Sequence, residues 1–245
     1  PKVDTLSLSR LIQMDPGLAG RIIQIANSPL FGGYGRIENL HDAVARLGRN
    51  TLRDFVTGIV LKNVFRTHEK IFRQRLKELW HHSTLTASLC QVLAQRIGMM
   101  DSGQAMLAGL LHDIGILPIL HFAIQHPALI NDPELLDQLV SSMRGECGQY
   151  ALTHLGFSQS LIQAAMSAED WWWESGKDQV ELADLVILAQ MHSYVGSRHF
   201  SSLPRFDQIP AFSKLGKFKV LSPHQSLKIL DEASREITEL QKILA

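Results

Sequence analysis

Apolar side chains return every three or four residues along almost the whole chain, while the strict apolar/polar alternation of a half-buried strand is scarce. This pattern predicts an all-α protein. Asp15-Pro16 supplies an N-cap and a first-turn proline for a helix carrying Leu18, Ile22 and Ile25, which Asn27-Ser28-Pro29 stops. A glycine-rich turn over Phe31 to Gly35 follows. A short helix around Ala43 to Leu47 ends at Gly48, and another, opened by Asn50, carries Leu52, Phe55, Ile59 and Val60. From about Glu69 the period runs through Leu76, Trp80, Leu89 and Leu93 to Gly98, long enough to leave room for a break near His68 to Phe72.

Asp101 or Ser102 caps a helix through Met106, Leu107, Leu110 and Leu111 that ends on the polar pair His112-Asp113, just ahead of Gly115. Asn131-Asp132-Pro133 restarts a helix, Gly145 to Gly148 punctuates it, and Tyr150 to His154 reads as a separate short segment ended by Gly156. Ser158 caps Leu161 to Met166. After Trp171-Trp172-Trp173 and a turn at Gly176, Leu182 to Val195 reads as a buried, mostly apolar helix. Leu203 to Val220 has no clear period, and Ser222-Pro223 opens a final amphipathic helix with Leu227, Leu230, Ile237 and Leu240.

With 245 residues, 45% of them hydrophobic, the chain can bury a core as one large domain or two fused subdomains. Lys plus Arg and Asp plus Glu number 24 each, so no net positive field draws phosphate backbones or anionic lipid, and nucleic acid is disfavoured as a partner. The local Arg73, Arg75, Lys77 cluster, interrupted by Glu78, reads as a solvated helix face. Cys90 and Cys147 are too few for a disulfide framework or a Cys-based metal site and fit a reducing compartment. No apolar run approaches the roughly 20 residues needed to cross a bilayer, and no export pattern opens the chain. A cytoplasmic protein without a membrane partner is expected. Because it begins with Pro1, the chain reads as an excerpt of a longer protein.

A His-Asp pair alone is a weak signal, but here apolar residues lead straight into His112 and Asp113, and a buried carboxylate needs a metal or polar partner. His82 follows Trp80 on the preceding helix and His154 sits on a later one, so three histidines and one carboxylate are candidates to converge. Imidazole and carboxylate suit zinc, iron or manganese, which polarise phosphoryl oxygens or acidify a bound water. The competing reading has these groups hydrogen-bonding one another in the core. The remaining histidines, His192 among them, match no ligand spacing.

The sequence resembles the HDOD domains, a branch of the HD superfamily of metal-dependent phosphohydrolases found in bacterial signalling proteins. The resemblance rests on Asp15-Pro16-Gly17-Leu18 through Ala26-Asn27-Ser28-Pro29-Leu30-Phe31-Gly32, Ile37, and Ala43-Val44-Ala45-Arg46-Leu47-Gly48. It continues through Trp80-His81-His82-Ser83, Gly109 to Gly115, His154-Leu155-Gly156 and the helix around Val186 to Gly196. It implies an HD-superfamily-like helical bundle: an N-terminal helical subdomain over residues 1–66, an HD-like subdomain over 67–196 and a C-terminal extension over 197–245.

By position, the resemblance assigns metal-ligand roles to His82, His112 and Asp113, and offers Gln190 where a catalytic HD protein has its late Asp. An amide binds a divalent cation more weakly than a carboxylate and leaves such a site one negative charge short. His154 looks like one of the added ligands of the related cyclic-dinucleotide phosphodiesterases. The paired histidines that should follow are replaced by Met166-Ser167-Ala168-Glu169-Asp170.

The resemblance therefore implies a non-catalytic, metal-free regulatory module acting on other signalling domains or proteins, with a homodimer one way of assembling. Two alternatives stand beside it: a metal-dependent phosphohydrolase (iron, manganese or zinc) acting on a nucleotide or cyclic dinucleotide, and a small-ligand sensor using the degenerate pocket. Trp171, Trp172 and Trp173 cannot all face one core, so at least one is an interface candidate.

Overall fold

In the computed structural model, which describes residues 9, 12–32, 35–65, 67, 69–98, 101–197, 200, 202–215 and 223–244, the described residues form helices and no strand. Asp15 Oδ1 accepts from the N–H groups of Gly17 and Leu18 and so starts α1 (Pro16–Ala26). A single 3₁₀ turn at Pro29–Phe31 leads on to α2 (Leu40–Leu47) and α3 (Arg49–Leu61). Tyr34 of the expected glycine-rich turn, His68 of the expected break and Ser222 of the expected last cap lie outside the described residues.

The long helix α4 (Lys70–Ile97) runs unbroken for 28 residues and ends at Gly98, whose φ of 70° is the left-handed conformation that only glycine adopts without strain. Antiparallel to it lies α5 (Ser102–Leu111), capped by Asp101. Their approach requires a bare Cα at Gly109: a Cβ there would sit 2.7 Å from the Cα of Ala87. A tight turn over His112 to Gly115 joins α5 to α6 (Ile116–Ile124). The segment Ser102–Ile124 corrects one expectation, since its 23 residues are long and apolar enough to cross a bilayer. Here 72% of its apolar window is buried against the rest of the chain, as in a core element.

The short α7 (Pro127–Asn131) precedes α8 (Pro133–His154), a single helix of 22 residues. The expected break at Gly145 to Gly148 does not occur. Those glycines serve close packing instead: Gly148 lies against Gly115, and a Cβ on Gly145 would approach the carbonyl of Met166 to 3.3 Å. Then come α9 (Gln159–Met166) and the buried α10 (Leu182–Ser193).

The stretch expected to lack a period holds a 3₁₀ turn at Phe206–Gln208 and α11 (Pro210–Leu215). Phe206, Ile209, Ala211, Phe212, Lys214 and Leu215 are buried there, but α11 has only 6 residues, fewer than two turns, too few for a 3.6-residue period to register. The expected final helix is two, α12 (Pro223–Glu232) and α13 (Ser234–Leu244), parted at Ala233. Leu240, Ile243 and Leu244 bury among Ile22, Ile25 and Phe55, and Arg21 donates to the carbonyl of Ile243 at 3.2 Å.

His192 on α10 is buried against Phe206, with ring centroids 4.8 Å apart, and burial lowers its pKa to about 4. The unfolded chain takes up this proton near pH 6.5 and the fold only near 4, so the stability contribution is complete above 6.5 and is lost as pH falls. His192→Phe should remove roughly 2 kcal/mol of the stability loss between about pH 7 and pH 5. Urea unfolding of both proteins at the two pH values measures this, and equal slopes would overturn it.

Candidate metal centre

Three of the four candidate ligands meet where α4, α5 and the following turn converge. The His82 and His112 Nε2 atoms lie 3.2 Å apart, and Asp113 Oδ2 is 3.1 Å from His112 Nε2 and 3.8 Å from His82 Nε2. His112 Nδ1 lies 2.7 Å from the carbonyl of Gly109, which can only accept, so Nδ1 carries a proton and, in the neutral ring, Nε2 presents its lone pair to the cluster. Burial first and the His112 charge second lower the His82 pKa to about 4, against the pull of Asp113, so His82 is neutral at neutral pH. Burial pushes Asp113 up, but His112, Arg144 and His82 outweigh it and hold the carboxyl well below its ordinary range.

These distances suit an ion. Around a cation with ligands at 2.0–2.2 Å, neighbouring donor atoms stand about 3.0–3.5 Å apart, and the three separations lie in or just beyond that range. His82, His112 and Asp113 fit one face of a divalent metal's coordination shell, and no further His, Cys, Asp or Glu among the described residues joins them. Gln190 is fully buried, one turn from Tyr194, whose ring stacks on His82 at 5.7 Å. Its amide finds no hydrogen-bond partner among the described residues.

His154 is not in the cluster. It lies exposed at the end of α8, stacked on Tyr150, ten residues and so about 15 Å along the helix from Arg144. Arg144, which no motif marks, reaches the centre in its place: Nη1 donates to Asp113 Oδ1 at 2.9 Å and Nη2 lies 2.7 Å from Glu169 Oε1. Contact between Gly115 and the Arg144–Gly148 stretch of α8 sets that reach. Glu169 lies in the Met166 to Asp170 segment, where the resemblance leads to an expectation of paired histidines, and its carboxylate binds Arg144. Of the tryptophans, Trp171 and Trp173 pack on the core while Trp172 is 57% exposed.

The sequence profile of the HDOD domain matches residues 1–171, and the chain belongs to the HDOD family. No curated protein matches it. Among solved structures, a Shewanella amazonensis protein provisionally assigned as a metal-dependent phosphohydrolase superposes with a TM-score of 0.78 at 24% identity, covering 100% of this chain and 86% of that one. An HDOD domain protein of unknown function from Geobacter sulfurreducens gives 0.68 at 19%, with 100% and 86% covered. A provisionally assigned signal transduction protein from Marinobacter aquaeolei gives 0.62 at 19%, covering 100% of this chain and 56% of its own. At these identities the likeness is one of fold.

Proposed function

We propose that this chain is a non-catalytic signalling module that acts through contacts with other signalling domains or proteins in the cytoplasm. One observation carries this reading: the only carboxylate of the ligand cluster is already neutralised by Arg144 at 2.9 Å. A dication entering there meets a fixed guanidinium as well as the carboxylate, with neutral Gln190 where catalytic HD proteins have a second acid. Membership of a family found in signalling proteins supports the regulatory role.

A second reading, metal-dependent phosphohydrolysis, is favoured by the spacing of His82, His112 and Asp113. A bound metal would supply Lewis acidity and an acidified water. In that reading the three residues hold the ion, and Arg144 orients Asp113 through its outer oxygen.

Hydrolysis of bis(p-nitrophenyl) phosphate and of cyclic dinucleotides, with and without manganese, separates the two. The first reading expects no turnover above that of His112→Ala. Turnover that the substitution abolishes would establish the second. Metal content of the purified protein then reports whether the three donors hold an ion without chemistry.

A further inference from the structure

A second site lies on the far side of α4 from the histidines. Arg73, Leu76, Lys77 and Trp80 occupy positions i, i+3, i+4 and i+7 and so form one stripe of the helix. Trp80 and His82 are two residues apart, about 200° round the helix, so the stripe faces away from the metal-ligand cluster. Opposite it is the 3₁₀ turn Lys62–Phe65, and between them is a cavity of about 640 Å³, within the range of small-molecule sites.

The lining is amphipathic. Phe65, Leu76 and Trp80 are buried and form an apolar floor, with the Phe65 and Trp80 rings 4.8 Å apart. Lys62, Arg73 and Lys77 form a cationic rim. The basic cluster read from sequence as one solvated face is divided: Arg75 turns to Asp137 on α8 at 2.5 Å, while Arg73 and Lys77 line the cavity with no acidic partner among the described residues. Glu78, the adjacent acid, is held by Gln74 at 2.6 Å. Trp80 is only 8% exposed, and its buried Nε1–H has no acceptor among the described residues.

We propose that this cavity binds a small amphipathic anion, whose apolar body lies on Phe65, Leu76 and Trp80 and whose carboxylate or phosphate lies between Arg73 and Lys77. The site is independent of the reading given to His82, His112 and Asp113. The probe is 8-anilino-1-naphthalenesulfonate, an aromatic sulfonate that fluoresces when its ring leaves water, titrated into the full chain. AMP and decanoate serve as competitors.

Saturable one-to-one binding is expected, weakened about tenfold or more in Arg73→Glu/Lys77→Glu and unchanged in His112→Ala. Both charge reversals fall on exposed positions, and an unchanged circular dichroism melt shows that the fold survives them. Displacement by AMP identifies a nucleotide-like ligand and displacement by decanoate an acyl carboxylate, and either supports the site. Equal affinity in the charge-reversed protein, or displacement by neither anion, overturns it.

Discussion

Gly115→Ala should cost roughly 3–5 kcal/mol and lower the melting temperature by about 10 °C, although the backbone of Gly115 is ordinary for any residue, with φ of −65°. The cost is steric. A Cβ at this position would lie 1.9 Å from the carbonyl oxygen of Arg144 and 2.5 Å from the amide nitrogen of Gly148. Both are main-chain atoms of α8, so no rotamer change relieves the clash and the helix must move as a body. That movement withdraws Arg144 from Asp113 and strips the buried carboxylate of its guanidinium partner. Gly20→Ala is the control: inside α1 a Cβ at Gly20 meets nothing within 4 Å, and alanine's better helix propensity should raise stability by up to about 1 kcal/mol. Thermal and urea unfolding of the two variants should move in opposite directions. A Gly115→Ala protein that melts like the parent would show that α8 does not bear on the turn.

The same glycines show where the sequence was readable and where it was not. Helix starts depend on local chemistry, so Asp15, Asp101 and Asp132 announced α1, α5 and α8 through side-chain acceptors for the first-turn amides. Gly145 and Gly148 carry the same local signal as a helix break, yet the tertiary requirement for close approach to Gly115 and Met166 decides their role. Phe206 to Leu215 hid a helix because α11, at 6 residues, is too short to show a helical period.

At the candidate site, His112 and Asp113 stood out because they end an apolar helix, and His82 through its place after Trp80 and the family resemblance. Arg144 did not, since an arginine within a long polar helix is ordinary and its partners lie 31 and 25 positions away in sequence. His154 matched a motif by sequence, but the continuity of α8 carries it past the centre.

Lys214→Met should cost about 3–5 kcal/mol at neutral pH, from a residue that no sequence signal marked. Lys214 Nζ lies 2.9 Å from both carboxylate oxygens of Asp184 and 5.2 Å from the centre of the Trp173 ring. Asp184 is fully buried and Lys214 is 8% exposed, so removing the cation leaves a carboxylate that water cannot reach. The remaining partner of Asp184 is the Glu181 N–H, at 2.8 Å, in the capping box of α10. Asp184→Asn keeps an acceptor for that N–H, and the double variant Lys214→Met/Asp184→Asn should recover most of the loss by removing both charges together.

The pH dependence has a definite sign. Burial raises the Asp184 pKa even though Lys214 and the Glu181 amide oppose it, and taking Lys214 away raises it further. The folded variant then holds a proton that the unfolded chain releases near pH 4, so its stability falls as pH rises from there. Its deficit relative to the parent is smallest near pH 4 and widest at neutrality. A deficit independent of pH, or a double variant whose cost is the sum of the two single costs, would show that the pair is screened by solvent and does not hold α11 against α10.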